Sequence, residues 1–418
     1  MKALILCCDY PPLNSIGAQR PASWRRYLPE YGVDVHVIAS ARGGVASPNR
    51  KVDPEVERVE LPPVLPERMI DRHGMHRFVL PRKALSLLYR TFSFSWPRFD
   101  KHRGLFEAAA RWLTDHRADV IVATGEPFIL FRHAARLSRR FDVPWIADYR
   151  DGWFHNHVTR RDRRRGARLA RWHECRIERR TLESCSLIST VDSHLAGRLG
   201  EMHGKPTAVV RNGFDELYEG PADRAGADDR TLLISHVGTL TPGQRIEFTL
   251  DAVRRLVETR GITPDDLRLR FVGLASSEVQ CRRVREGAGD LEPFLEFTER
   301  VPRPEALAMS AGSDLLLAPT EPDYTAVFAK AFDYLATGRP ILVAPGDGAL
   351  LDAFVRECGA GRSFETVDDL TDFLWRAVEE RRSGRAPDSA PDAAAVTKYT
   401  RRRQAEVMAR ALRHVKQR

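Results

Sequence analysis

Lysine is the scarce cation of this chain. Of 66 basic residues in 418 only eight are lysine, so arginine supplies nearly all of the positive charge and brings the formal net charge to +9. Cysteine chemistry has little to work with. The six cysteines (Cys7, Cys8, Cys175, Cys185, Cys281 and Cys358) form no CxxC pair and no metal-ligand spacing, which points to a reducing compartment and away from a disulfide scaffold or a structural zinc. His36, His194 and His236 fall within apparent strands or helices and read as structural, so no bound metal is expected. No apolar run approaches the roughly 20 residues that span a bilayer, and no basic-then-apolar leader precedes the first strand. The expected setting is the cytoplasm, with any membrane contact peripheral and at the inner face of the cell membrane. Zinc-finger spacing, an RNP-like aromatic strand and a basic region running into heptads are all missing, which argues against nucleic acid as a partner.

What is present suits a folded, two-domain chain. Apolar residues make up 43% and charged residues 29%, enough to bury real cores rather than leave the chain disordered. A length of 418 residues fits two α/β domains of roughly 200 residues each. The basic balance favours anionic partners: phosphorylated small molecules or acidic lipid surfaces.

The opening apolar run Ala3 to Cys8 ends in Asp9-Tyr10-Pro11-Pro12, as a buried parallel strand entering a loop does. The loop continues to Gly17, helical spacing follows to Gly32, and Val33 to Ile38 reads as a second strand, completing a βαβ unit. Further strands are expected at Val120–Ala123, Pro144–Ala147, Leu187–Thr190 and Ala208–Val210. A second series is expected at Leu232–Ser235, Leu269–Val272, Phe294–Phe297, Leu315–Leu317 and Ile341–Val343, so the fold class is α/β with two open parallel sheets. The polar stretch Tyr218 to Asp229 reads as a linker. The expected division is residues 1–225, residues 226–395, and a final helix in 396–418 that crosses back to the first domain.

Two stretches could carry chemistry. In Gly238-Thr239-Leu240-Thr241-Pro242-Gly243-Gln244-Arg245 a strand meets a glycine-containing turn, a basic residue and a helix start, a combination that lets backbone amides and a guanidinium approach a phosphate. It is also what an ordinary strand-to-helix loop looks like. Thr325 to Pro340 reads as a helix capped by Thr325 and ended by Gly338. Within it Lys330 and Asp333 share a face, so a cation could meet a diphosphate while a carboxylate accepts ribose hydroxyl protons; a plain surface pair has the same spacing. Asp148, Arg150 and Asp151 follow a buried strand directly, and Glu126 follows another, the place where open α/β sheets hold ligands. The alternative is a salt-bridge cluster that shapes the loop. The densest basic patch, Arg160 to Arg180 with Leu169, Trp172 and Ile177 interspersed, suits an interfacial helix on an anionic membrane, or a solvated face diluted by Glu174, Glu178 and Glu183. Phe78 to Trp96 is a second candidate for lipid contact.

The order of Tyr10 to Gly17, Gly125-Glu126-Pro127, Ala147 to Trp153, Asn212 to Asp215, Gly238 to Arg245 and Lys330 to Pro340 resembles the family 4 (group 1) glycosyltransferases, especially members acting in bacterial surface-polysaccharide assembly. The resemblance implies the GT-B architecture, two Rossmann-like doubly wound domains facing across a cleft with the nucleotide-sugar donor on the C-terminal one and a saccharide or lipid-linked saccharide acceptor on the N-terminal one. It implies that Arg245 and Lys330 hold the donor diphosphate, that Asp333 contacts the ribose, and that Gly17 lies in a loop facing the phosphates. Gly238, Thr239 and Thr325 complete the donor set. Asp148, Arg150 and Asp151 are the catalytic candidates beside Arg245 and Lys330. Retention of configuration and a reaction without metal or other cofactor are further implications. Many members carry two glutamates where this sequence has Thr325 and Asp333. A soluble natural-product acceptor, a sugar-nucleotide epimerase and a catalytically silent scaffold stay open as alternatives.

Overall fold

The computed structural model describes residues 1–13, 16–41, 53–61, 100–153, 165–224, 227–322, 326–387 and 391–417, with only the backbone of residues 16 and 165–171. Thr325, Phe78 to Trp96 and residues 160–164 of the basic patch lie outside them. The chain forms two compact units, one of Met1–Arg211 with Arg401–Arg418 and one of Asn212–Thr400.

In the first unit the strands are β1 Lys2–Cys7, β2 Asp34–Ser40, β3 Glu57–Val59, β4 Val120–Gly125, β5 Trp145–Tyr149, β6 Leu187–Thr190 and β7 Thr207–Val209. They make one sheet in the order β3-β2-β1-β4-β5-β6-β7, with parallel pairing throughout; Ile5, for example, is flanked by Val37 and Val122. Both faces are apolar because the side chains of β1 alternate: Leu4 and Leu6 enter one core, Ala3, Ile5 and Cys7 the other. A period of two with every residue apolar demands cover on both sides. Helices Arg103–Asp115 and Ile129–Phe141 cover the first face. The second is covered by helix Ile16–Tyr27 and by the last helix, Arg401–Lys416, which lays Ala405, Met408, Ala409, Leu412 and Val415 onto the sheet at helical spacing.

The second unit repeats the plan with β8 Leu232–Val237, β9 Leu267–Val272, β10 Leu295–Phe297, β11 Leu315–Ala318, β12 Ile341–Val343 and β13 Gly361–Ser363. Their order is β10-β9-β8-β11-β12-β13. Leu232, Ile234, Leu315 and Leu317 face one core; Leu316, Ala318, Ile341 and Val343 face the other. Strand order reverses direction between β1 and β4 in the first unit and between β8 and β11 in the second, so each sheet has a topological switch point where a crevice opens at the carboxyl ends of the strands. The short strands β3 and β13 were not expected from the sequence, because three polar-containing residues carry no periodic signal.

The division falls at Arg211/Asn212 rather than near residue 225. The polar stretch expected to be a linker is docked on the second unit: Tyr218 N–H donates to the Ala336 carbonyl (2.7 Å), Asp223 N–H to Ala308 (2.9 Å), and the Arg224 guanidinium to Asp314 Oδ1 (3.0 Å) and to the Gly312 and Thr231 carbonyls. The other end shifts as well. Val396 and Tyr399 are buried in the second unit, so its share runs to Thr400 and the final helix begins at Arg401.

Asp314, 2% exposed, also accepts the Leu233 N–H through Oδ2 at 2.8 Å. Breaking a buried pair leaves the partner's charge uncompensated, which costs about 3–5 kcal/mol. Asp314→Ala is therefore expected to lower the unfolding free energy in urea by about that much and to expose the 218–224 segment to protease; a variant as stable as the parent would show that this anchor is not what holds the segment.

Candidate functional site

At the switch point of the second sheet, β8 runs into Gly238, whose φ of +100° is a conformation that side-chain-bearing residues avoid. The following loop is pinned from several directions. Thr241 N–H donates to Gln244 Oε1 (2.9 Å), Gln244 Nε2 to the Pro319 carbonyl (2.9 Å), and Arg245 N–H to the Thr320 carbonyl (3.0 Å). Arg283, on helix Glu278–Ala288, donates to the carbonyls of Thr241, Pro242 and Gln244 and pairs with Glu247 at 2.8 Å. Nothing local in the sequence marks Arg283, since an arginine on a polar helix looks like a surface residue.

Gly243 was expected to let an anion approach the backbone. It instead admits a carboxylate of the chain itself: the buried Glu321 accepts the Thr241 hydroxyl (3.0 Å), and a Cβ on Gly243 would lie 2.1 Å from the Glu321 carboxyl carbon. The resident negative charge disfavours a second one at that point. Arg245 carries its side chain exposed to solvent, with no side-chain hydrogen bond or ion pair among the described residues.

Lys330 lies on helix Ala329–Ala336. That helix is shorter than expected: it starts after Phe328, whose side chain makes no cap. The Lys330 ammonium donates to the Thr239 carbonyl (3.0 Å) and meets His236 Nε2 at 3.1 Å. His236 Nδ1 lies 3.0 Å from the Leu317 carbonyl. A carbonyl only accepts, so Nδ1 carries the proton and Nε2 accepts from Lys330. Burial holds the imidazole well below its usual pKa, and the adjacent ammonium adds to this. Burial likewise pushes the lysine down to about 7. His236 was read as structural; it sits 94 residues from Lys330 in sequence, and only the fold puts the two together.

Asp333, one turn beyond Lys330, is held by Arg303 Nη2 at 2.5 Å. Arg303 opens helix Arg303–Ala311 and was not anticipated. The structure thus gathers Gly238, Thr239 and Lys330 around His236, with Arg245 on the same loop and Asp333 engaged by an arginine.

In the first unit the residues at the end of β5 and just beyond it divide, and Asp148 falls inside the strand. Asp148 was expected to line the acceptor side, but it is fully buried: its carboxylate takes Arg20 Nη2 at 2.7 Å and Nε at 2.9 Å, and accepts the Ser189 hydroxyl at 2.7 Å. Arg20, 5% exposed, also caps the Val210 carbonyl at 2.7 Å. Asp148 therefore belongs to a buried salt-bridge cluster and is unavailable to a ligand. Arg150 turns the other way. Its Nε donates to the Gly125 carbonyl (2.6 Å) and Nη2 to the Glu126 carbonyl (3.2 Å), and a Cβ on Gly17 would lie 1.6 Å from Nη1 and 2.9 Å from Asp9 Oδ2. Gly17, Arg150, Glu126 and Asp9 thus converge at the switch point between β1 and β4; Glu126 and Asp151 are exposed. A side chain at 17 would displace the Arg150 guanidinium that lies against it.

The expected basic helix spans Arg165–Leu182. Trp172 is 59% exposed with the Arg176 guanidinium 5.8 Å from its ring, and Arg179 and Arg180 are exposed on the turns beyond. Among the described residues no helix is long and apolar enough to cross a membrane, and no group of His, Cys, Asp or Glu could hold a metal ion.

Residues 17–213 match the glycosyl transferase 4-like domain family. No curated protein matches the sequence. Solved structures agree in fold over nearly the whole chain. Sucrose-phosphate synthase from Thermosynechococcus elongatus superposes with a TM-score of 0.63 at 15% identity, covering 99% of each chain. Anabaena HepE in complex with UDP gives 0.60 at 14% identity, covering 99% of this chain and 100% of that one. The lipopolysaccharide outer core galactosyltransferase WaaB gives 0.56 at 11%, covering 99% of each. The fold is that of the GT-B glycosyltransferases.

The Arg20–Asp148 pair yields a stability test. Asp148→Ala is expected to destabilise the protein by about 3–5 kcal/mol in urea titration, because Arg20 is left charged and buried, whereas Arg20→Met with Asp148→Leu recovers much of the loss. Equal stability of the single variant and the parent would return Asp148 to the list of ligand-facing groups.

Proposed function

We propose that this protein is a retaining, metal-independent glycosyltransferase that moves a sugar from a nucleoside diphosphate sugar to a saccharide acceptor, carried on a lipid at the inner membrane face, in the assembly of a cell-surface polysaccharide. The C-terminal unit takes the donor and the N-terminal unit the acceptor. The observation that carries the reading is the Lys330 ammonium, held by Thr239 and His236 beside Gly238 at the carboxyl end of β8, the position where open parallel sheets receive ligands. The family match over residues 17–213 supports the reaction class, and HepE, whose structures hold UDP and UDP-glucose, makes uridine nucleotides the first donors to test.

In this reading the bond between the anomeric carbon and the donor phosphate breaks, the acceptor hydroxyl attacks, and its proton passes to the departing phosphate. Negative charge grows on that phosphate. Lys330 and Arg245 stabilise it in place of a metal ion, each charge-assisted contact contributing about 1.5–3 kcal/mol. Asp333 accepts from the ribose while Arg303 holds it in place. On the acceptor side Arg150, Asp151 and Glu126 are the groups open to a saccharide, and the exposed Trp172 and Arg176 to Arg180 face suits an anionic lipid surface.

Thermal stabilisation across UDP, GDP, dTDP and ADP, each with its sugars, tests the donor site. A single nucleotide family is expected to stabilise the protein, and Lys330→Ala to weaken it by about 1.5–3 kcal/mol. No stabilisation by any nucleotide, or full affinity in the variant, overturns the assignment. The depressed lysine pKa adds a pH signature. An anion against Nζ favours the protonated form, so binding above pH 7 takes up a proton, and donor affinity is expected to fall as pH rises through about 7. Calorimetry in buffers of different ionisation enthalpy reads that uptake, which Lys330→Ala removes.

A further inference from the structure

A cavity of about 800 Å³ opens in the second unit at the amino ends of β11, β12 and β13, among Leu315, Ile341 and Gly361. These are the opposite ends of the strands from the donor residues, since the donor loop is tied to Pro319 and Thr320 just beyond the carboxyl end of β11. Gly359 and Gly361 put no side chains into it, and Phe373 and Ala377 of helix Val367–Arg382 supply apolar wall.

Its charge is unbalanced among the described residues. Arg362, Arg376 and Arg385 line the cavity there against a single carboxylate, Glu380. None of the three arginines forms an ion pair among the described residues, although their neighbours do: Arg381 reaches Asp314 and Arg382 reaches Asp266. Arg376 donates to the Asp372 carbonyl, and Arg362 lies 5.8 Å from the Phe373 ring. Among the described residues three exposed guanidinium groups thus face one carboxylate, an excess of two positive charges. A phosphomonoester dianion matches that count better than a carboxylate does, and guanidinium forks fit its oxygens. A volume of this size lies within the range of small-molecule sites and exceeds what an inorganic ion fills.

We infer that this cavity is a second ligand site, separate from the donor site, for an organic phosphomonoester whose phosphate is held by Arg362, Arg376 and Arg385 and whose body lies against Phe373 and Ala377. The inference does not depend on the donor assignment.

Titration calorimetry on the full chain with hexyl phosphate, glucose 6-phosphate and inorganic phosphate tests it. At least one organic phosphomonoester is expected to bind more tightly than inorganic phosphate. That binding is expected to survive Lys330→Ala and to weaken by roughly tenfold or more in Arg362→Gln with Arg376→Gln, the loss of a charge-assisted contact. Arg385→Glu, an exposed position, provides an independent variant, and unchanged melting of the unliganded variants establishes that they fold. Preference for hexyl phosphate identifies a lipid phosphate as the natural class; preference for glucose 6-phosphate identifies a soluble sugar phosphate. Binding lost in Lys330→Ala but kept in the arginine variants would place the phosphate in the donor site and overturn the inference, as would failure of all three probes to bind.

Discussion

Parallel strands buried on both faces can offer chemistry only at their ends, and the layout of this molecule follows from that constraint. Both sheets are apolar above and below, so helices cover each face and polar groups that act on a ligand are confined to strand termini and the loops beyond. Strand order then selects among the ends. In each unit it reverses next to the first strand, between β1 and β4 and between β8 and β11, and the residues with unusual surroundings cluster there: Gly17 and Arg150 in one unit, Gly238, His236 and Lys330 in the other.

Arg20, which is buried, and Lys330, which is half-buried, show how differently the same kind of charge is used. Arg20 is matched by Asp148, by the Ser189 hydroxyl on that carboxylate and by the Val210 carbonyl, which makes it part of the framework. Lys330 has a carbonyl and a neutral imidazole as partners and, among the described residues, no carboxylate. Its charged form is therefore poorly compensated, and an arriving anion would supply what the protein withholds. In the function proposed above, the perturbed cation at the switch point serves this purpose, whereas a buried charge that is already satisfied calls for no ligand.

Much of the architecture was legible in the residues. Strands β4 and β12 stand where the unbroken apolar runs Val120–Ala123 and Ile341–Val343 placed them, because burial on two faces leaves a strong local signature. Strands β3 and β13 were missed, and the stretch from Tyr218 to Asp229 was taken for a linker because it is polar and aperiodic. What anchors that stretch is Arg224 on Asp314, 90 residues away, a contact that composition cannot reveal.

The sequence by itself determined the two parallel α/β sheets, the placement of Gly238 and Arg150 just beyond strand ends and of Lys330 on a helix with Asp333, and the resemblance to glycosyltransferases, since periodicity and local motifs act over a few residues. Tertiary structure alone decided which polar residues remain available. It closed Asp148 with Arg20, filled the space over Gly243 with Glu321, tied Asp333 to Arg303 and set His236 against Lys330. Each of these contacts joins residues 30 to 128 positions apart or packs one loop on another, and the free energy of a charged group depends on whichever distant partner the fold delivers to it.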